Sequence, residues 1–251
     1  MKVCLVTICI GEKYLEQYNL VFRKTQEAYA VKHGYDFKVI TEYISEQDPK
    51  LISMNKILVS DEYYDFIIFV DADVLISPSA PPIHNAYNFG NKIGVVSENQ
   101  PDKYAKYAVQ KAMRWELTAK DYYLDKSGHI LDTEDIVNTG VLVIQPKKHK
   151  EFLENIFKKY SENQKWSPHG FHYEQSVIGF ELQVNNMAFF MDYKWNAIWM
   201  THKIYDQICR KNPNLVEFYK KNYFTHLAGK CDINVAYTEI SRDLQDTCQR
   251  S

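Results

Sequence analysis

Val3 to Ile10 is a nearly unbroken apolar run, the pattern of a strand buried on both faces. From Tyr14 to about Lys32, apolar positions recur at helical spacing (Tyr14, Tyr18, Val21, Phe22, Tyr29), which predicts one helix closed by Gly34. Phe37 to Ile40 reads as a second strand and Met54 to Asp61 as a further helix. Phe66-Ile67-Ile68-Phe69-Val70 is another two-face-buried strand, and it runs straight into Asp71-Ala72-Asp73; Ile93 to Val96 makes a fourth. This alternation predicts an α/β fold with a mostly parallel central sheet and helices on both faces. The second half is less regular. It predicts a helix from about Tyr104 to Leu117, a strand at Val141 to Ile144, a helix from Lys150 to Tyr160 and a loop around Trp166 to Phe171. No repeat or Pro/Gly-rich linker interrupts the chain, so residues 1–251 read as a single domain, with a regular half to about residue 97 and an irregular one from about 98.

Composition narrows the function classes. The chain is 45% hydrophobic and 25% charged with a net charge of -2, which excludes a broad electrostatic attraction to nucleic acid. Its five cysteines are odd in number, scattered and without a CxxC pair, so neither a zinc site nor a disulfide framework is expected and a reducing compartment fits. No apolar run is long enough to span a bilayer and no N-x-S/T sequon occurs. The expectation is a cytoplasmic protein with no transmembrane segment; composition does not bear on oligomeric state.

The strongest chemical signal is YYDFIIFVDADVLI. Asp71 and Asp73 follow a buried strand, and in extended geometry residues i and i+2 point to one side, so the two carboxylates can converge. Two uncompensated acids beside an apolar strand are costly, and a cation is the natural compensation. The carboxyl ends of strands in open parallel sheets are also where ligands collect. Three weaker signals follow: Asn138-Thr139-Gly140, read as a turn before a strand; Glu174-Gln175, an acid and an amide at a helix start; and His226-Leu227-Ala228-Gly229. Each alone is equally a turn, a helix start or a core histidine.

Taken in order, these pieces resemble glycosyltransferases of the GT-A (Rossmann-like) fold, above all the glycogenin and lipopolysaccharide-galactosyltransferase group and the related galactosyl, mannosyl and xylosyl transferases of yeast and plants. The resemblance runs through Thr7, Lys56, Asp71-Ala72-Asp73, Asn138-Thr139-Gly140, Glu174-Gln175 and His226-Leu227-Ala228-Gly229. It implies a nucleotide-sugar-binding half over about 1–97 and an acceptor-binding half over about 98–251. It further implies Asp71, Asp73 and His226 as ligands of Mn²⁺, with Mg²⁺ a substitute. Thr7 is then expected at the nucleotide base or ribose, Lys56 at the diphosphate or sugar, and Gly229 with Asp71 on the donor side. Asn138, Glu174 and Gln175 are expected at the transferred sugar. The implied reaction moves a hexose or pentose from a UDP-sugar to a glycan or other hydroxyl acceptor with retention, and Trp166, His172, Trp195 and Trp199 are candidates for an acceptor-stacking surface. Two positions differ from the family pattern: Glu174 stands for the commoner Asp, and Lys230 lies four residues beyond His226 rather than six. The competing readings are a haloacid-dehalogenase-like phosphatase, disfavoured by the late position of the acid pair and the lack of any Gly-Asp dipeptide, and a non-catalytic nucleotide-sugar or carbohydrate-binding protein.

Overall fold

Strand β1 (Val3–Ile8) lies between β2 (Asp36–Ile40) and β3 (Phe66–Val70), parallel to both, in a computed structural model that describes residues 1–45, 49–98, 103–114, 118–162, 173–230 and 232–242. With β4 (Val74–Ile76), β5 (Ile93–Ser97), β6 (Val137–Ile144) and β7 (Ala188–Phe190), the strands divide between two sheets. The larger has the order β2-β1-β3-β6-β5-β7. In it β6 is antiparallel to both neighbours, while the rest run one way, so the sheet is mostly parallel as expected.

Alternation along β1 and β3 explains why both faces are buried. Cys4, Val6, Ile67 and Phe69 point to one side, where Met54, Ile57, Leu153, Ile156 and Ile178 cover them. Val3, Leu5, Ile68 and Val70 point to the other, against Tyr29, Ala30 and Ile83. Helices α1 (Glu12–Leu20) and α2 (Phe22–His33) follow β1. The α/β pattern resumes with α3 (Lys103–Met113), α4 (Ala119–Ser127), α5 (Pro146–Glu162) and α6 (Tyr173–Val184), of which α5 and α6 pack on the first face.

The smaller sheet comprises β4, β8 (Ala197–Ile198) and β9 (Phe224–His226), with β9 central. It is finished by α7 (Trp199–Ile208) and α8 (Leu215–Lys221). Its β4 is the direct continuation of the Asp71–Asp73 segment. No helix among the described residues is long and apolar enough to cross a membrane.

Four local expectations are corrected. The helix drawn from Tyr14 to Lys32 is two helices, broken at Val21 (φ -142°, ψ -45°), whose side chain is fully buried and so holds the break against the core. Gly34 does close α2, in the left-handed conformation. The segment expected as a helix from Met54 to Asp61 is a 3₁₀ helix over Pro49–Leu58, with Asn55 Oδ1 accepting from the N–H groups of Ile44 and Ser45 at 2.9 Å each. Asn138-Thr139-Gly140 is not a turn before a strand but lies inside β6, all of whose residues are buried. Finally, α3 ends at Met113, followed by Arg114 at φ 58°, and the expected loop at Trp166 to Phe171 lies outside the described residues.

Candidate metal centre and its cleft

The Asp71–Asp73 segment is held from three sides. From β6, the Gly140 carbonyl accepts from the Asp71 N–H at 2.8 Å. From α2, the fully buried Gln26 donates through Nε2 to the carbonyls of Asp71 at 3.3 Å and Val74 at 2.9 Å. From the segment after β9, the Leu227 N–H donates to the Asp73 carbonyl at 3.0 Å. The β4–β9 register places His226 opposite Val74, and this pairing carries the imidazole to the two acids. Gly140 makes room for it, because any Cβ there would overlap the His226 ring.

Ligand atoms of Asp71, Asp73 and His226 all lie within 4.8 Å of one another. His226 Nε2 is 3.3 Å from Asp73 Oδ1 and 3.9 Å from Asp71 Oδ2. Behind the acids, Lys56 Nζ donates to Asp71 Oδ1 at 3.0 Å, Thr139 Oγ1 at 3.3 Å and Glu174 Oε1 at 3.4 Å. The acids keep side-chain exposures of 27% and 31% against 5% for Lys56 and 7% for His226, so the carboxylates face the opening and the two bases back them. Three carboxylates set against one ammonium leave two negative charges when the imidazole is neutral. A divalent cation balances that count, and two carboxylates with one imidazole nitrogen are a suitable donor set for Mn²⁺ or Mg²⁺.

Proton affinities reflect the crowding. Burial pushes Asp71 up, ahead of the opposing pull of Lys56 and His226. Burial also acts to raise Asp73, but the charge and hydrogen bond of His226 outweigh it and hold this carboxyl below the usual range. Burial disfavours a charged His226, yet Asp73 and then Asp71 overcome that and raise the ring above its ordinary value. Lys56 is likewise raised, Asp71 and Glu174 outweighing its burial.

The other expected site residues divide. Asn138 and Gln175 are buried and bonded to one another, Asn138 Nδ2 donating to Gln175 Oε1 at 3.1 Å. Both donate to Glu98 Oε1, at 2.9 and 2.8 Å. Asn196, fully buried, joins Asn138 to His226. Glu98 and Asn196 carry no motif, and only pairing across 40 and 58 residues of chain with Asn138 reveals them. Thr7 is fully buried, its Oγ1 without a partner among the described residues; the three residues after it, Ile8, Cys9 and Ile10, line the cleft. Gly229 adopts φ 73° just beyond His226. Trp195 and Trp199 are core residues, packed on Tyr223 and Phe218 with their indole N–H groups given to Tyr87 and Asp232, so they offer no stacking surface. Trp166 and His172 lie outside the described residues.

In front of the acids opens a cleft of about 460 Å³, walled by Ile8, Ile10, Tyr14, Tyr18, Phe22 and Tyr237 and floored by Lys56, Asp71, Asp73 and Glu174. It is an apolar wall over a charged floor. The chain is similar in structure to a glycosyltransferase involved in the glycosylation of the major capsid of PBCV-1, at 14% identity and TM-score 0.61, covering 96% of this chain and 99% of that one. It is similar also to the galactosyltransferase LgtC in complex with donor and acceptor sugar analogs, at 16% identity and TM-score 0.61, covering 96% and 95%. The chain has the GT-A fold. A further match, the glycosyltransferase GlyE of Streptococcus pneumoniae, has 10% identity and TM-score 0.53, covering 99% of this chain and 64% of that one. No family model and no curated protein sequence matches the chain. Within the GT-A frame, the acid pair stands at the carboxyl end of a central strand, and β6, running backwards, brings Asn138 to Gly140 to the same edge.

Proposed function

We propose that the protein is a metal-dependent glycosyltransferase that moves a hexose or pentose from a nucleotide-diphosphate sugar to a hydroxyl acceptor. The observation that carries this reading is the convergence of Asp71, Asp73 and His226 at one end of an apolar-walled cleft in a GT-A fold. When bound, a divalent cation held by these three side chains supplies a counter-charge to the diphosphate that leaves the sugar. Lys56 orients Asp71 and Glu174 and adds a buried positive charge to the cleft floor. Tyr14, exposed at the rim of the wall, gives it an aromatic face suited to a nucleotide base, and by its resemblance the donor is a UDP-sugar.

A second cleft, of about 320 Å³, is lined by Glu98, Tyr193, Ile198, Thr201, His202 and Asp206, beside the β8 residue that pairs with His226. Its mixture of an aromatic ring, carboxylates and a hydroxyl suits a glycan acceptor. Glu174 is held in an ion pair with Lys56 rather than standing free as a base, which supports transfer with retention of the anomeric configuration.

Thermal unfolding with UDP, GDP and their sugars, with and without Mn²⁺, tests the donor and the metal together. UDP-sugar with Mn²⁺ is expected to raise Tm, and Asp73→Ala to abolish that rise while retaining the fold by circular dichroism. A preference for GDP overturns the base assignment. A nucleotide effect indifferent to Mn²⁺ overturns the metal-dependent reading.

A further inference from the structure

A line of hydrogen bonds runs from Glu98 to His226, and its direction is forced at its outer end. An ionised carboxylate only accepts. Asn138 therefore presents its Nδ2 to Glu98 Oε1, at 2.9 Å, with Gln175 Nε2 beside it at 2.8 Å. This turns the Asn138 carbonyl the other way, towards the Gly140 N–H, which can only donate and does so at 2.9 Å. Two groups of fixed polarity thus agree on one orientation of Asn138.

The rest follows link by link. Asn138 Oδ1 also accepts from Asn196 Nδ2 at 2.6 Å. With its Nδ2 turned to Asn138, Asn196 faces His226 with its carbonyl oxygen, and Oδ1 stands 3.0 Å from Nδ1. A carbonyl cannot donate, so Nδ1 carries the hydrogen. In the neutral ring, Nε2 is then the nitrogen with the free lone pair, and Nε2 is the atom that faces Asp73 and Asp71. Asn196 is fully buried and Asn138 nearly so, which leaves bulk water no part in setting these orientations.

We infer that Asn196, itself oriented by Asn138 and Glu98, is a positioning residue that fixes the Nδ1–H tautomer of His226 and so presents Nε2 to the cation shared with Asp71 and Asp73. The inference rests on the metal-binding reading above and assigns part of its support to residues far from the acid pair in sequence. It gives Asn138 and Gln175 a place behind the imidazole, and it explains why three amides, Asn138, Gln175 and Asn196, are buried behind a half-buried carboxylate, Glu98. Metal-bound imidazoles commonly donate their other N–H to an oxygen, and loss of such a partner lowers metal affinity about 10–100-fold.

The test uses ¹¹³Cd²⁺ added to protein carrying ¹⁵N-labelled histidine. A ¹¹³Cd–¹⁵N coupling at His226 Nε2, with Nδ1 protonated, is expected. Asn196→Leu should lower Mn²⁺ affinity about 10–100-fold, measured by the electron paramagnetic resonance of free Mn²⁺. Coupling at Nδ1 in the wild-type protein overturns the inference whether or not the variant folds. Unchanged Mn²⁺ affinity in a folded Asn196→Leu protein does the same. If neither Cd²⁺ nor Mn²⁺ binds the wild type, the metal reading itself falls. If Cd²⁺ binds with no coupling to His226, the acid pair stands and the inference fails.

Discussion

Gly140 lies against the imidazole of His226 so closely that a methyl group on its Cα would occupy the space of the ring. The glycine is needed for that approach and not for its backbone angles, since it lies inside the buried β6 and outside the left-handed region. Gly140→Ala is therefore expected to push His226 off the acid pair and lower Mn²⁺ affinity by at least about tenfold. Isothermal titration with Mn²⁺ reads this directly. A folded Gly140→Ala protein with wild-type affinity would show that His226 is not needed for the cation.

Lys56 is the one buried ammonium between Asp71 and Glu174 among the described residues. Lys56→Met keeps an unbranched, flexible side chain one atom shorter and removes the charge, leaving both carboxylates without it. A loss of roughly 3 kcal/mol is expected in urea unfolding with chelator present, because removing one partner strands the other charges. Mn²⁺ should restore part of the loss by supplying positive charge at Asp71. A change smaller than about 1 kcal/mol would mean that the acids are already well solvated.

The raised proton affinity of His226 sets a pH dependence with opposite signs for the free and metal-bound protein. In the metal-free state the folded value lies above the ordinary 6.5, so its contribution to stability is complete below 6.5 and is lost as pH rises through the raised value. A cation needs the same nitrogen without its proton. Metal affinity should thus fall as pH drops through that raised value, beginning above the range of a free imidazole. Mn²⁺ titrations from pH 6 to 8.5 should slope upward, and a His226→Ala variant should be flatter. A flat wild-type profile would remove His226 from the ligand set.

His149 carries an independent pH effect at the far end of the sheet. It is fully buried, its Nδ1 accepting from the Gln145 N–H at 3.0 Å while Nε2 faces the Asn91 carbonyl at 3.2 Å. Burial, chiefly, holds it down to about 4 from 6.5. The unfolded chain binds the proton first, so stability is full above 6.5 and falls by about 3 kcal/mol as pH drops to about 4. Urea unfolding across this range should show that slope, and His149→Gln should flatten it. Equal slopes in both proteins would assign the acid sensitivity elsewhere.

What the chain discloses by itself depends on how far apart the partners lie. The strand Phe66–Val70 and the acids after it are plain from the amino-acid order, because a two-face-buried strand must be apolar throughout and the charges must begin where it ends. The start of β6 escapes that logic. Asn138 and Thr139 interrupt its apolar run and look like a turn, yet both are buried, their polar groups satisfied by Glu98, Gln175, Asn196 and Lys56. A buried amide reads as an exposed one until its partners are known. The break at Val21 is equally silent, for the same apolar spacing serves one bent helix or two. Nothing around Asn196 or Glu98 marks either as part of the centre; only the folded pairing of β5, β6, β8 and β9 does so.

The backward run of β6 has a consequence for how the protein is made. Its residues separate β3 from β5, so a growing chain that has not yet delivered Val137 to Ile144 holds β3 and β5 with no strand between them. Each then shows an open, apolar flank, the kind of edge on which chains aggregate. Truncations that stop short of residue 137 should therefore be recovered as insoluble material. The two acids await His226 longer still, so the three-residue cluster they form with it can assemble only after β9 has emerged, about 150 residues behind the acid pair.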